Sequence, residues 1–209
     1  MPARKNKTSR NSKIKAKIKK RSAPKPAKAG PKMAAEPHEI PNLVVTYDPS
    51  HGQMAKQEIE FLFKKIKMPV SFTESEVTGL FRLKTGDARK AVTRLSELSS
   101  KEPAAFSTTR HFVPVDEWTS SRVEDMKKAI SGLESQIRDS ETWKLELHKR
   151  GWDGIKDSDL ILELTDVIDK PKVDLENPDK IIQVEIIGNK AGISVIKQKE
   201  RFYTRTPKP

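Results

Sequence analysis

Hydrophobic positions begin to recur with a regular period only after about residue 42. Leu43–Tyr47 is a short apolar run that predicts a buried strand. Over Met54–Ile66 the apolar residues Ile59, Leu62, Phe63 and Ile66 fall at i, i+3, i+4 and i+7, which places them on one face of a helix. Val70–Val77 and Leu80–Lys84 predict two strands joined through Thr78-Gly79, a hairpin-type junction. A second helix is expected from about Asp87, with Ala88, Ala91, Val92, Leu95 and Leu98 on its inner face, and Thr108–Val115 reads as a further strand.

A second block follows. Ser121-Arg122-Val123-Glu124 has the serine–glutamate spacing of a capping box, and Val123, Met126, Ile130, Leu133 and Ile137 then form one apolar stripe. Thr142–Lys149 predicts a strand that ends in the polar turn 149–154, and Asp157 or Ser158 is placed to cap another helix. Lys172–Leu175, Ile181–Ile187 and Ile193–Lys197 predict three strands, the last two joined through the turn 188–192. The first block reads βαββαβ, the order of a ferredoxin-like split βαβ unit, and the second reads αβαβββ. The expected fold is an α/β (α+β) layer structure in both blocks.

Charge changes this picture at one end. The net charge of +12 is concentrated in residues 1–32, which hold 13 Lys or Arg and no acidic residue, whereas the rest of the chain sums to −1. With few large apolar side chains, residues 1–32 cannot offset the entropy of ordering and are expected to be a disordered basic tail. Pro24, Pro26, Pro31, Pro37 and Pro41 mark a stiff linker after it. The expected organisation is a tail and linker over 1–41, a ferredoxin-like domain over 42–118, a second domain over 119–202 and a short tail over 203–209. Such an arm attracts phosphates without regard to sequence.

Composition excludes several chemistries. The chain has no cysteine, so disulfides, thiolate catalysis and cysteine-ligated metal are out. There is no Rossmann glycine fingerprint and no P-loop. His38, His51, His111 and His148 stand apart in the sequence without zinc-ligand spacing. No catalytic residue, no metal and no cofactor is expected. Nor is a membrane span expected, since no apolar run approaches the roughly 20 residues needed. A cytoplasmic monomer is the expectation.

The binding signals are cationic. Lys149 and Arg150 lie beside Gly151 and Trp152, a combination that suits a backbone phosphate next to a stacked base, although an aromatic packed over the core edge among solvated lysines has the same sequence. Lys190 and Lys197 recur on polar positions of the same block, and Arg82 and Arg110 flank strand ends in the first. Gly86-Asp87 reads either as a phosphate-binding helix start or as an ordinary helix capped by Asp87.

The run Asp174-Leu175-Glu176-Asn177-Pro178-Asp179, continuing through Val184-Glu185-Ile186, resembles the signature of THUMP domains. The preceding strand with Lys149-Arg150-Gly151 and the helix ending near Asp169 match that family's order, as does the preceding ferredoxin-like block. The resemblance covers about residues 42–200. It implies an RNA-binding module of the kind that grips the acceptor end of tRNA. Most such modules are fused to a catalytic domain, and none is expected before Pro209. The chain therefore resembles the stand-alone THUMP proteins that assist the RNA cytidine acetyltransferase in making N4-acetylcytidine in the tRNA D-arm. Arg110-His111-Phe112-Val113-Pro114 is similar to a strand of that group. The implied contact residues are Lys149, Arg150, Lys190 and Lys197, with Asp174 and Pro178 shaping a turn. The implied role is a non-enzymatic, tRNA-binding adaptor that works with the acetyltransferase in trans. The alternatives are a general basic nucleic-acid- or ribosome-associated protein, or an enzyme with an unrecognised site.

Overall fold

Four β-strands and two helices of the first block assemble in the order the apolar pattern predicts. In the computed structural model, which describes residues 40–73, 75 and 77–204, these are β1 (Leu43–Tyr47), α1 (Gly52–Lys65), β2 (Ser71–Thr73), β3 (Leu80–Lys84), α2 (Ala88–Lys101) and β4 (Thr109–Pro114). The basic tail, the Pro-rich linker up to residue 39, His38 and residues 205–209 lie outside the described residues. The sheet runs β2-β3-β1-β4, with antiparallel pairing throughout, as a split βαβ unit requires. Leu43, Val45, Leu83 and Phe112 face Ile59, Leu62 and Phe63 of α1 and Ala91, Val92 and Leu95 of α2 in one core. Asp87 caps α2 by accepting from the Lys90 amide at 2.9 Å, so that helix start is an ordinary cap.

The second block consists of β5 (Glu117–Ser120), α3 (Val123–Leu133), β6 (Trp143–Arg150), α4 (Asp157–Thr165), β7 (Lys180–Ile187) and β8 (Lys190–Ile196). Its sheet order is β5-β8-β7-β6, with β6 and β7 parallel and the other pairs antiparallel. Leu145, Ile182, Val184, Ile186, Ile193 and Val195 form the inner face under α3 and α4. The chain closes with β9 (Phe202–Tyr203), which returns to the first sheet and pairs with β4.

Several local expectations are corrected. The predicted β2 shortens to three residues. Ser121 does not cap α3: Arg122 occupies the N-cap without a side-chain bond, and Ser121 instead donates its amide to the Asn189 carbonyl at the end of β5. Neither Asp157 nor Ser158 caps α4; Asp157 is already helical and pairs with Lys149. Lys172–Leu175 is not a strand but a single bridge, Val173 to Trp143, because Asp174 turns the chain by accepting from the Glu176 and Asn177 amides. The turn between β7 and β8 uses only Gly188 and Asn189, and Gly188 adopts φ +58. Strand β5, which the periodicity did not reveal, pairs Trp118 with Gly192 at the free edge of β8.

Candidate nucleic-acid interface

The register of the second sheet decides which of the expected contact residues can act together. Arg150 is opposite Ile187, Ile187 is opposite Lys190, and Lys190 is opposite Ser120, so Arg150, Lys190 and the start of α3 share one end of the sheet. Arg122, with a well exposed side chain, sits at the same end and was not singled out by the sequence. Lys197 follows the last residue of β8, about 24 Å from Lys190 at roughly 3.4 Å per residue, and does not join the group. There Lys197 lies within electrostatic reach of Asp179, whose carboxyl is held below its ordinary range chiefly by hydrogen bonds from the Thr142 amide and hydroxyl.

Lys149 and Trp152 form the cation–aromatic pair that the sequence suggested. The Lys149 Nζ stands 5.2 Å from the centre of the Trp152 ring, donates to the Ile155 carbonyl at 2.9 Å and pairs with Asp157 at 2.5 Å. The Trp152 ring is half-buried against the second core and lies over Gly154, where a Cβ would come within 2.2 Å of it. Gly151 adopts φ +62, so this turn needs a glycine at both ends of the tryptophan.

Arg150 has a different environment. Its Nη1 donates to Glu185 Oε2 at 3.0 Å, and Glu185 is almost fully buried. Burial pushes the Glu185 carboxyl up, against the opposing pull of His148 and Arg150. Glu146, His148 and Arg150 alternate along the outer face of β6, beside Gln183 and Glu185 of β7. Gln183 Nε2 donates to Glu185 Oε1 at 3.0 Å, and Arg201 donates both to Gln183 Oε1 and to Glu146. His111 and Tyr203 of the first sheet stack at 3.7 Å between ring centres, with His148 6.2 Å from His111. Burial, reinforced by His148 and Arg201, drives His111 down to about 3, so this ring is neutral. Two histidines that are isolated in sequence thus meet between the two sheets. The Nε2 of His148 is buried there without a hydrogen-bond partner.

Arg82 and Arg110 lie in the first sheet. The Arg82 guanidinium lies 5.8 Å from the Trp118 ring, at the apolar seam of Val44, Leu80, Val115 and Ile187. Arg110 donates to the Ser107 carbonyl and pairs with Asp48 at 3.7 Å. Arg89 makes a bidentate pair with Asp116, which ties α2 to the entry of β5. Among the described residues no group of three His, Asp or Glu side chains could hold a metal ion, and no helix is long and apolar enough to cross a membrane.

Residues 120–196 match the THUMP domain family. No curated protein sequence matches the chain. Among solved structures, the chain is similar to PH1313 from Pyrococcus horikoshii Ot3, at 13% identity and a TM-score of 0.55 over 75% of this chain and 55% of that one. It is also similar to a 4-thiouridine synthetase solved as an RNA complex with bound ATP, at 15% identity and a TM-score of 0.50 over 79% of this chain and 42% of that one. At these identities the likeness is one of fold, and the chain spans about half the length of each structure. The segment from the end of β5 through β8 is a THUMP domain.

Proposed function

We propose that this chain is a tRNA-binding adaptor, without catalysis of its own, that presents tRNA to an RNA cytidine acetyltransferase acting in trans. The observation that carries the reading is the THUMP domain at 120–196, one end of whose sheet gathers Lys149, Trp152, Lys190 and Arg122. Cations beside an aromatic ring suit the acceptor end of tRNA, where unpaired bases can stack while phosphates are neutralised. RNA is also present in the 4-thiouridine synthetase structure that shares the fold. The proposed partner enzyme and the D-arm cytidine rest on the sequence resemblance.

The test is reconstitution. Full-length protein, tRNA, acetyl-coenzyme A, ATP and the acetyltransferase are combined, and N4-acetylcytidine is measured by nucleoside mass spectrometry. The adaptor reading expects acetylation in the D-arm only when both proteins are present. Modification by this chain alone, or by the enzyme alone at the same rate, would contradict it. A second reading, a general basic nucleic-acid-binding protein, is favoured by one observation, the 13 uncompensated cations of residues 1–32. It predicts equal affinity for tRNA and for duplex DNA of similar charge.

A further inference from the structure

The first domain carries a cleft of about 340 Å³ between the end of β1, the first turns of α1 and the strands β2 and β3. This is at the small end of the roughly 300–1,000 Å³ typical of small-ligand sites. Its walls are aromatic. Tyr47 and Phe81 stack with ring centres 4.5 Å apart and planes 20° apart, and Phe72 meets Phe81 edge-on at 5.3 Å and 88°. All three rings are only half-buried, although the core beside them is filled by Phe63, Phe106 and Phe112. Lys56, exposed on α1, holds its Nζ 5.1 Å from the centre of the Phe72 ring, and Thr73 and Thr78 add hydroxyl groups to the lining.

Partly uncovered ring faces set at right angles, with the Lys56 cation and the hydroxyl-bearing residues Tyr47, Thr73, Ser75 and Thr78 among the described lining, fit a flat heteroaromatic ring that also carries polar edges. An aliphatic ligand would leave the hydroxyls and the cation unused, and a base pair within a duplex is too large for the cleft. The position of the cleft supplies an independent pointer. Val77 at its rim touches the THUMP domain where β6 ends: a Cβ on Gly151 would lie 3.3 Å from Val77 Cγ2. The cleft is thus contiguous with the Lys149–Trp152 turn. We propose that the cleft between Tyr47, Phe72, Phe81 and Lys56 takes one unstacked nucleobase from a single-stranded RNA segment. The inference rests on the RNA-binding reading and adds a base site, in the first domain, to the phosphate-facing end of the second.

Stacking on an aromatic side chain contributes about 1–3 kcal/mol per base, which corresponds to about a fivefold or greater change in affinity. The experiment uses the full chain and a single-stranded RNA tetranucleotide with one 2-aminopurine, alongside a blunt-ended RNA duplex. Stacking should quench the 2-aminopurine emission on binding. Phe72→Leu keeps an apolar side chain and removes the ring; it should remove the quenching and weaken the tetranucleotide about fivefold or more, leaving the duplex unchanged. Lys56→Ala, at an exposed helix position that does not endanger folding, should also weaken the tetranucleotide. Duplex binding without quenching by the tetranucleotide, or variants that behave like the wild type, would overturn the cleft and leave the RNA-binding reading intact. Failure of the wild type to bind either RNA would overturn both.

Discussion

Arg150 donates to Glu185 at 3.0 Å, across neighbouring parallel strands and at a point where the carboxylate has almost no access to water. Arg150, one of the residues that the family resemblance implies for RNA contact, is therefore also the counterion of a buried acid. Removing one partner of such a pair typically costs about 3–5 kcal/mol, because the other charge is left uncompensated. Arg150→Ala should lower the urea midpoint strongly. The double variant Arg150→Ala/Glu185→Gln should recover most of the loss, since a neutral amide needs no counterion. Equal midpoints for the two variants would show that the pair contributes little.

Glu58 of α1 accepts six hydrogen bonds, from the amide and the hydroxyl of each of Ser107, Thr108 and Thr109 at the start of β4. Burial pushes its carboxyl up, but these donors outweigh burial and hold it at about 2. Because the folded value lies below the ordinary 4.5, this contribution is complete above about pH 4.5 and is lost as pH falls towards 2. Glu58→Gln should destabilise the fold by more than about 2 kcal/mol at pH 7 by denaturant titration. It should also flatten the loss of stability between pH 4.5 and 3.

His111 gives the fold a second acid sensitivity, which sets in at a higher pH. Its neighbours are His148, Arg150, Arg201, Glu146 and Tyr203, and its ring stays neutral down to about pH 3 in the folded chain. The unfolded chain takes up that proton near 6.5, so stability falls as pH drops below 6.5, by about 1.4 kcal/mol per unit from this group. His111→Phe, which can still stack on Tyr203, should lose less stability between pH 7 and 5 than the wild type in urea titrations. Parallel losses would place the sensitivity elsewhere.

The legible parts of this protein are those set by local pattern. The bounds of β1 and β3, the inner faces of α1 and α2 and the Asp87 cap follow from local pattern, and the Lys149–Trp152 pair follows from a separation of only two intervening residues. What sequence could not supply was pairing over distance. Arg150 and Glu185 are 35 residues apart and meet through the β6–β7 register, while His111 and His148 meet because two sheets pack together. Strand β9 has two residues and no period, and β5 is short and mostly polar, so neither leaves a signal. The helix starts of α3 and α4 differ from the spacing because Arg122 and Lys156 take the N-cap positions, and Asp157 lies already inside α4 with its carboxylate paired to Lys149.

The N-terminal arm should set the strength of binding rather than its selectivity. Deleting residues 1–32 removes 13 positive charges and leaves a remainder near −1. Affinity for tRNA and for unrelated RNA should fall together, and the slope of log affinity against log salt should become shallower, because fewer counterions are released. An unchanged slope would assign the arm to another task.

The most direct test of tRNA recognition is a competition on the full-length protein at moderate salt, where nonspecific attraction is reduced. Labelled intact tRNA is displaced by unlabelled intact tRNA, by tRNA trimmed of its 3′ end, or by duplex DNA of equal phosphate content. The account predicts that intact tRNA competes best, with trimming and duplex geometry each weakening competition. Equal competition by all three would contradict it, and would leave a basic protein that reads charge alone.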